Sequence, residues 1–212
     1  MNGTLSIALP KGRLFDAAVE ILARAHIRMS DVRNGSRRLT FPDTGSRYDF
    51  VSLKPVDIPV YVESGAIDAG IVGSDVLREI EPDVYEPLDL QIGKCRMVVA
   101  APKGSQLDYT GPIRIATKYP KTAERFFLSK HVHVRIVRLE GSVEIAPLLG
   151  LSHGVVDLVE TGRTLRENGM EILSEVASVS GKLIVNRTAM KTKARAFTQI
   201  IHQLDTAVYA DT

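Results

Sequence analysis

The sequence predicts an α/β fold with a mainly parallel sheet, and two observations lead to that prediction. Short apolar runs of strand length alternate with stretches of helical periodicity along most of the 212 residues. Glycines beside cations or hydroxyls stand at several points where a predicted strand gives way to a helix. Because ligands of open α/β sheets bind beyond the carboxyl ends of the strands, we expect the functional residues directly after strands.

The first half of the chain contains three predicted strands and three predicted helices. Residues 5–9 form the first strand, and a turn at Gly12 separates them from a helix with apolar residues at helical spacing. Pro59 in the first turn and Gly65 after the last turn delimit a short second helix. In chain order, the later elements are the strand YDFVSL, the helix DIPVYVESG, the strand AGIVG and the helix SDVLREI.

A second group of elements follows the acidic, proline-bearing stretch EPDVYEPLD, which we interpret as a connection. Its predicted strands are CRMVVAAP, IRIAT, VRIVRL and GVVDLV. Its predicted helices are PKTAERFFLSK, SVEIAPLLG and TLRENG, and a further helix is predicted in ARAFTQIIHQLDTAV. A chain of this length can bury one sizeable core or two small lobes.

Composition excludes several classes of protein. With 44% apolar and 25% charged residues, the chain has the composition of a globular protein. The lone Cys95 excludes an internal disulfide framework and a multi-cysteine zinc site, and it agrees with a reducing compartment. A net charge of +2 argues against a dedicated nucleic-acid binder. No export signal or long apolar segment stands out, so we expect a cytoplasmic protein that is not bound to a membrane.

One early region is locally basic, although the whole chain is nearly neutral. It extends from Arg24 to Lys54 and contains five further arginines between them, Arg28, Arg33, Arg37, Arg38 and Arg47. This region is either a solvated surface or the rim of an anion-binding site, and the sequence leaves both interpretations open.

The stretch DLVETGRTLRENG places two carboxylates before a loop that is suited to phosphate. Asp157 and Glu160 precede the 161–164 loop, after which a helix is predicted to begin near Thr164. Thr164 and Glu167 have the spacing of a capping box. Unpaired amides at a helix amino end bind phosphate, and Gly162 permits close approach of the backbone. Thr161 and Thr164 can add hydroxyl donors, and Arg163 lies between them.

The two carboxylates would repel a phosphate, so they need a different partner. Asp157 and Glu160 can accept hydrogen bonds from the hydroxyls of a ribose whose 5-phosphate lies on the loop. The alternative interpretation is a capped helix after a strand, with an exposed glutamate and no ligand.

Two other junctions have a related composition. Lys11, Gly12 and Arg13 follow the first predicted strand, and Gly141 and Ser142 open a predicted helix that carries Glu144. Each of these segments is either an ordinary turn or part of a site. His131 and His133 share one side of a possible strand and could bind a transition metal, although surface histidines are the favoured interpretation.

The segment EIAPLLGLSHGVVDLVETGRTL resembles the signature of the ATP phosphoribosyltransferases, which begin histidine biosynthesis. The segments LPKGRL, DIPVYVESGAIDAGIVGSDVL, RIATKYP and LIVN also resemble that family, in its order, over nearly the whole chain. The residues of the signature that fall in the family's spacing are Glu144, Gly150, Ser152, Asp157, Thr161, Gly162, Thr164 and Leu165.

The resemblance implies a reaction, a fold and partners. It implies transfer of the phosphoribosyl group of phosphoribosyl pyrophosphate to N1 of the adenine of ATP, with magnesium. It also implies a two-lobed fold of the periplasmic-binding-protein type with an active-site cleft between the lobes. The expected first lobe is 1–90 plus 180–212, and the second, 91–179, carries the phosphoribosyl loop. We expect no C-terminal regulatory domain, and instead a separate regulatory subunit resembling histidyl-tRNA synthetase, in a hetero-octamer.

The resemblance also implies roles for individual residues. Asp157 would bind the ribose hydroxyls and the 161–164 loop, with Arg163, the 5-phosphate, while Glu160 occupies a variable position. Arg13, Lys54 and Lys11 would stabilise the departing pyrophosphate, and Mg²⁺ would be held by substrate phosphates and water without a protein cage. Further expected contacts to ATP or the other substrate are Gly12, Gly73, Asp75, Ser142 and Glu144.

Two alternative functions stay open from the sequence. A ligand-binding module without chemistry has the same predicted fold, and fold does not settle function. A phosphoribosyltransferase with another acceptor would need the same sugar-phosphate loop.

Overall fold

The computed structural model describes residues 4–29, 40–42, 47–105, 107 and 111–210. The chain divides into two compact units, Met1–Gly93 with Ser180–Thr212, and Lys94–Val179. The lobe boundary predicted after residue 90 lies three residues earlier than the division at Gly93. Arg33, Arg37 and Arg38 of the basic region lie outside the described residues.

The described residues form eleven strands and eight helices. The strands are β1 Leu5–Pro10, β2 Thr40–Pro42, β3 Tyr48–Leu53, β4 Ala69–Gly73, β5 Tyr85–Asp89, β6 Cys95–Pro102, β7 Ile113–Thr117, β8 Val134–Arg138, β9 Gly154–Val159, β10 Met170–Val179 and β11 Gly181–Val185. The helices are α1 Phe15–Arg24, α2 Ile58–Glu63, α3 Ser74–Ile80, α4 Pro120–Ser129, α5 Ile145–Leu148, α6 Arg163–Glu167, α7 Arg187–Thr192 and α8 Ala194–Tyr209. Every strand and helix that the sequence segments predicted is present.

The first unit contains a six-stranded sheet in the order β2-β3-β1-β4-β11-β5. β1 runs parallel to β3 and β4, with Pro10 opposite Leu53, so these three strands end at the same edge. β11 runs antiparallel to β4 and to β5, and β2 runs antiparallel to β3. Gly181 at the start of β11 pairs with Gly73 at the end of β4, so the two strands run in opposite directions.

The second unit contains a five-stranded sheet in the order β10-β6-β9-β7-β8. β7 runs parallel to β8 and β9, whereas β6 runs antiparallel to both of its neighbours, β9 and β10. Both sheets are therefore mixed. The α/β class is confirmed, and the prediction of a mainly parallel sheet is wrong.

Both faces of each sheet are covered. In the first unit Leu9 packs in one cluster with Leu22 of α1 and Phe197 of α8. Its neighbour Ala8 points to the other face and packs in a second cluster with Ile58 of α2. A strand that is buried on both faces has no polar positions, which explains the continuous apolar runs that predicted these strands.

The same arrangement holds in the second unit. Val99 of β6 packs in one cluster with Phe127 of α4. Val98 of the same strand packs in another cluster with Ala146 of α5 and Leu165 of α6. Within the described residues, every helix is too short or too polar to cross a lipid bilayer.

Four strands were not predicted, β2, β5, β10 and β11, and all but β11 lie at the edge of a sheet. EPDVYEPLD, interpreted as a connection, contains β5, and Pro87 is tolerated there because an edge strand need not donate a ladder hydrogen bond at every residue. β10 is interrupted by two register shifts and is partly exposed along its length, so it lacks a regular alternation of apolar and polar residues.

The histidine pair does not lie on a strand. β8 begins at Val134, and His131 adopts a φ of 59° in the turn that precedes it. Both His131 and His133 are exposed. The prediction that they share one side of a strand is wrong, because the turn after α4 extends to these residues.

Candidate functional site

Four residues predicted to bind anions lie at one edge of the first unit's sheet. Lys11, Gly12 and Arg13 follow β1, and Lys54 follows β3. The Lys11 amide donates a hydrogen bond of 2.8 Å to the carbonyl oxygen of Leu53, so the two lysines follow adjacent strand ends. All four are exposed, and we call this group the cationic edge.

Backbone conformation explains the glycine of the cationic edge. Gly12 adopts a φ of 85°, and a Cβ added there would meet nothing within 4 Å. The position therefore favours glycine because of its conformation and not for lack of space. Arg13 next to it donates from Nη1 to the carbonyl oxygen of Gly93 at 2.9 Å, which holds its guanidinium at the same edge.

The end of β4 lies at this edge as well. Gly73 ends the strand, Ser74 begins α3, and Ser74 and Asp75 are both buried. The Asp75 carboxylate occupies the space that a side chain on Gly73 would need. The two residues predicted to contact substrate thus form one tight turn, in which the carboxylate folds back over the glycine.

A cluster that the sequence did not predict supports this turn from β5 and β11. Asp89 accepts hydrogen bonds from Lys182 Nζ at 2.7 Å, from Ser180 Oγ at 2.9 Å and from the Gln91 amide at 2.9 Å. Burial by itself raises the pKa of Asp89. The hydrogen bonds and the positive charge of Lys182 outweigh that effect, so the pKa lies below its ordinary value. Local sequence offers no signal for this cluster, since its members come from two distant segments.

The second group of predicted residues lies at one edge of the second unit's sheet. The parallel strands β7, β8 and β9 end there and are followed respectively by Lys118, by the turn that contains Ser142, and by Glu160 with the 161–164 loop. Ser142 has a φ of 48°, and Glu144 immediately precedes α5. The predicted helix with Glu144 therefore begins one residue later than that residue.

The 161–164 loop is a left-handed turn that leads into α6. Gly162 has a φ of 73°, is buried, and occupies the N-cap position of the helix. The Arg163 amide lies 3.4 Å from Thr161 Oγ1, and Arg166 Nη1 donates to the Thr161 carbonyl at 2.9 Å. Thr161, Arg163 and Thr164 are exposed on this fixed turn.

The predicted capping box is wrong. Thr164 and Glu167 both lie inside α6, and the N-cap Gly162 has no side chain that could cap the helix. Glu167 instead accepts a hydrogen bond of 2.6 Å from Arg163 Nε, one turn earlier. Because the left-handed Gly162 is the N-cap and the helix starts at Arg163, Thr164 lies two residues too late to act as a cap.

Asp157 lies in β9, half-buried, just before the loop. Its Oδ1 is 4.0 Å from Lys118 Nζ, which also lies 5.0 Å from the centre of the Tyr119 ring. Thr117, at the end of β7, is fully buried. Its hydroxyl donates to the carbonyl oxygen of Val156 in β9 at 2.7 Å, which links the two strands, and it accepts from the Tyr119 amide. We did not predict Lys118, although a cation directly after a strand is the signal that identified Lys11.

Metal ligands do not cluster in the part of the chain that the structure describes. No group of three or more His, Cys, Asp and Glu side chains is placed there to hold a metal ion.

Comparison with solved structures identifies the class of protein to which this fold belongs. Structures with the same fold include the periplasmic aliphatic sulphonate binding protein SsuA of Escherichia coli, with a TM-score of 0.63, 11% identity and coverage of 97% of this chain and 72% of that one. The arginine-bound, truncated ArgBP of T. maritima has a TM-score of 0.57 at 14% identity, with 99% and 97% coverage. The predicted two-unit α/β fold of the periplasmic-binding-protein type is confirmed.

Closer matches define the family. The family described as HisG, ATP phosphoribosyltransferase, matches residues 54–206. An ATP phosphoribosyltransferase of Thermoanaerobacter sp. (strain X514) is 46% identical over 204 residues, 96% of each chain. The ATP phosphoribosyltransferase 2 of Geobacter sulfurreducens is 45% identical over 210 residues, 97% of this chain and 99% of that protein. A chain of the HisG:HisZ complex from Thermotoga maritima has a TM-score of 0.84 at 36% identity, with 99% and 100% coverage.

The chain belongs to the HisG family of ATP phosphoribosyltransferases. It therefore catalyses the first step of histidine biosynthesis, the transfer of the phosphoribosyl group from phosphoribosyl pyrophosphate to N1 of the adenine of ATP. The predicted family and reaction are confirmed. This family excludes the two alternatives, a binding module without chemistry and a transferase for another acceptor.

Proposed function

We propose that the edge of the second unit binds the phosphoribosyl group and that the cationic edge binds the leaving pyrophosphate. The observation that supports this division most is the left-handed turn at Gly162, which follows β9 directly after the half-buried Asp157. A turn suited to an anion and a carboxylate lie there within a few residues of each other, which supports binding of a ribose 5-phosphate.

The 161–164 loop binds the 5-phosphate in this proposal. Its backbone amides and the exposed Thr161 and Thr164 hydroxyls are donors, and Arg163 adds a positive charge. Asp157 accepts hydrogen bonds from the ribose hydroxyls, and Glu160 lies at the end of the same strand. Lys118 Nζ, 4.0 Å from Asp157 Oδ1, places a positive charge beside this carboxylate.

The cationic edge stabilises the pyrophosphate as the bond to ribose C1 breaks. Positive charge develops on the sugar and negative charge on the leaving group, so Lys11, Arg13 and Lys54 favour departure electrostatically. Lys54 acts as a point charge and not as a planar fork, because it is a lysine. Adenine N1 has an available lone pair near neutral pH, so its attack needs no strong base from the protein.

The turn from Gly73 to Asp75 contacts ATP in this proposal, with Gly12 beside it on the same sheet edge. A buried carboxylate such as Asp75 suits hydrogen-bond donors, either the amino group of adenine or ribose hydroxyls, and not the phosphates. Ser142 and Glu144 lie at the end of β8 in the second unit and are proposed as further substrate contacts.

Magnesium is part of the proposal as a companion of the substrate phosphates. The described residues hold no protein-only metal group, and the cationic edge would repel a bare metal ion, so a metal chelated by pyrophosphate fits this chemistry. When bound, Mg²⁺ would neutralise negative charge on the departing pyrophosphate. Lys11 and Arg13 then contribute the remaining fixed positive charge.

A regulatory subunit is proposed from one comparison. The similar Thermotoga maritima chain comes from a HisG:HisZ complex. We propose that this chain also works with a separate subunit resembling histidyl-tRNA synthetase, in a hetero-octamer. A cytoplasmic location belongs to the same proposal, supported by the single cysteine of the sequence, Cys95, which agrees with a reducing compartment.

A ligand-bound structure tests the assignment of the two edges. Crystals of the purified chain with phosphoribosyl pyrophosphate and Mg²⁺ should show the 5-phosphate on the 161–164 loop and the ribose hydroxyls at Asp157. Phosphate density at the 161–164 loop with the ribose turned away from Asp157 would support the role of the loop and contradict the role of Asp157. A 5-phosphate bound elsewhere would refute the assignment.

A further inference from the structure

The turn from Gly73 to Asp75 cannot hold its own shape through a helix cap. Gly73 is the N-cap residue of α3 and has no side chain to accept a hydrogen bond from the first amides of the helix. The Ser74 amide instead donates to the carbonyl oxygen of Ser180, at 2.9 Å. The first turn of α3 is thus tied to a residue 106 positions later in the chain.

The tie between these two serines is reciprocal. The Ser180 amide lies 3.3 Å from Ser74 Oγ, so each residue donates to the other. Gly181 next to it donates to the Ile92 carbonyl and accepts from the Leu90 amide, which extends the pairing toward β5. The position of Ser180 therefore determines where Ser74 can lie. Ser74 belongs to the turn from Gly73 to Asp75, which we call the substrate turn.

Asp89 fixes the side chain of Ser180. Its carboxylate accepts the Ser180 hydroxyl at 2.9 Å and, on the same oxygen, Lys182 Nζ at 2.7 Å. Its other oxygen accepts the Gln91 amide. The pKa of Asp89 lies below its ordinary value because these contacts outweigh the effect of burial, so the acceptor stays ionised at neutral pH.

We propose that Asp89 is a positioning residue for ATP: through Ser180 and Ser74 it holds the turn from Gly73 to Asp75 in the conformation that binds the nucleotide. This inference rests on the proposed contact between that turn and ATP. The contiguous path runs from the carboxylate to the Ser180 hydroxyl, then through its backbone to Ser74 and the substrate turn.

The same sheet offers a matched control at its opposite edge. Asp68 accepts hydrogen bonds from Lys193 Nζ at 2.8 Å and from the Ser6 hydroxyl at 3.0 Å, so it is also an aspartate bound by one lysine and one serine. It immediately precedes β4, whereas Gly73 ends that strand. Loss of Asp68 should weaken the sheet without reaching the substrate turn.

Steady-state kinetics with each substrate varied in turn test the proposal. Asp89→Ala should raise KM for ATP about fivefold to tenfold, within the range of coupling through contiguous hydrogen-bond networks, and leave KM for phosphoribosyl pyrophosphate within about twofold. Ser180→Ala should act in the same direction, and the double variant should be no worse than Asp89→Ala. Asp89→Asn, which keeps an acceptor for the Ser180 hydroxyl, should be the mildest change. Asp68→Ala should lower Tm and leave both KM values within about twofold.

Several results would overturn the proposal. These are an unchanged KM for ATP in Asp89→Ala and Ser180→Ala, an equal rise for both substrates, or the same selective rise in Asp68→Ala. If Asp89→Ala does not fold, Ser180→Ala decides, since it removes only a hydroxyl. The variant Asp75→Asn distinguishes a failure of the proposed ATP contact from a failure of the positioning role of Asp89. An unchanged KM for ATP in that variant removes the proposed ATP contact together with this inference, whereas a rise there without one in Asp89→Ala or Ser180→Ala removes this inference alone.

Discussion

At two positions of the proposed site, the backbone conformation by itself explains why the residue is glycine. Gly12 and Gly162 have φ angles of 85° and 73°, which side chains other than glycine rarely adopt. Gly73 is constrained differently, because its φ of −71° is ordinary and the Asp75 carboxylate fills the space beside it. Glycine is thus required at the first two positions by conformation and at the third by close packing.

Replacement of Gly162 by valine should weaken phosphoribosyl pyrophosphate binding at least about tenfold, because a β-branched residue in this region costs roughly 1–2 kcal/mol and shifts the loop amides. Titration calorimetry measures the affinity. Gly104→Val is the matched control, since Gly104 has a φ of 77° in the turn after β6 and should suffer the same strain without losing affinity. Equal affinity in the two variants would remove the 161–164 loop from the site.

Arg13→Ala should slow the chemical step by a factor of about 10² to 10³, the usual cost of removing one preorganised group that faces developing charge. ATP affinity should change much less, because the charge acts mainly during pyrophosphate departure. Rapid-quench single-turnover measurements separate the two effects. Arg13→Lys retains the charge and should recover part of the rate, and a wild-type rate in Arg13→Ala would contradict the role.

At the scale of elements, capping determines how two of the helices begin. α6 starts from a left-handed glycine, whereas α7 has a side-chain cap, Asn186, whose Oδ1 accepts from the amides of Thr188 and Ala189. The amide group of Asn186 also donates to the carbonyl oxygen of Val62 at the end of α2. One buried side chain therefore joins two helices that are distant in sequence.

Asn186→Ala should lower the free energy of unfolding by about 2 kcal/mol or more, since it removes a cap and leaves the α2 carbonyls without their donor. Urea unfolding followed by circular dichroism measures this loss. Asn186→Ser retains a capping oxygen and should lie between the wild type and the alanine variant. Equal stabilities of the serine and alanine variants would show that the cap contributes little.

At the scale of the whole molecule, acid should weaken the support of the substrate turn. The pKa of Asp89 is lowered from 3.8 in the folded protein, so its ionisation adds stability that is complete well above pH 3.8. That contribution is lost as the pH falls from about 3.8 through the lower pKa of the folded state. Neutral and mildly acidic solutions leave it intact.

The Tm difference between wild type and Asp89→Asn should stay constant from pH 7 to about pH 5 and shrink below pH 3.8, because protonation of Asp89 makes the two proteins alike. Differential scanning calorimetry across this range measures the difference. Asp83→Asn, at an exposed ion pair with Arg187, should give a small difference at every pH. A constant difference between wild type and Asp89→Asn down to pH 3 would contradict the lowered pKa.

The sequence alone determined the local elements of this protein and the residues that follow its strands. Apolar runs identified β1, β4 and β9 because both faces of these strands are buried, and glycines identified the turns because few other residues adopt their backbone angles. The tertiary structure alone decided the mixed sheets, the strands β2, β5, β10 and β11, and the hydrogen bond between Asp89 and Ser180, which are 91 positions apart. The physical reason is that periodicity and backbone angle depend on a few neighbouring residues, whereas strand direction and register depend on which distant segments pair.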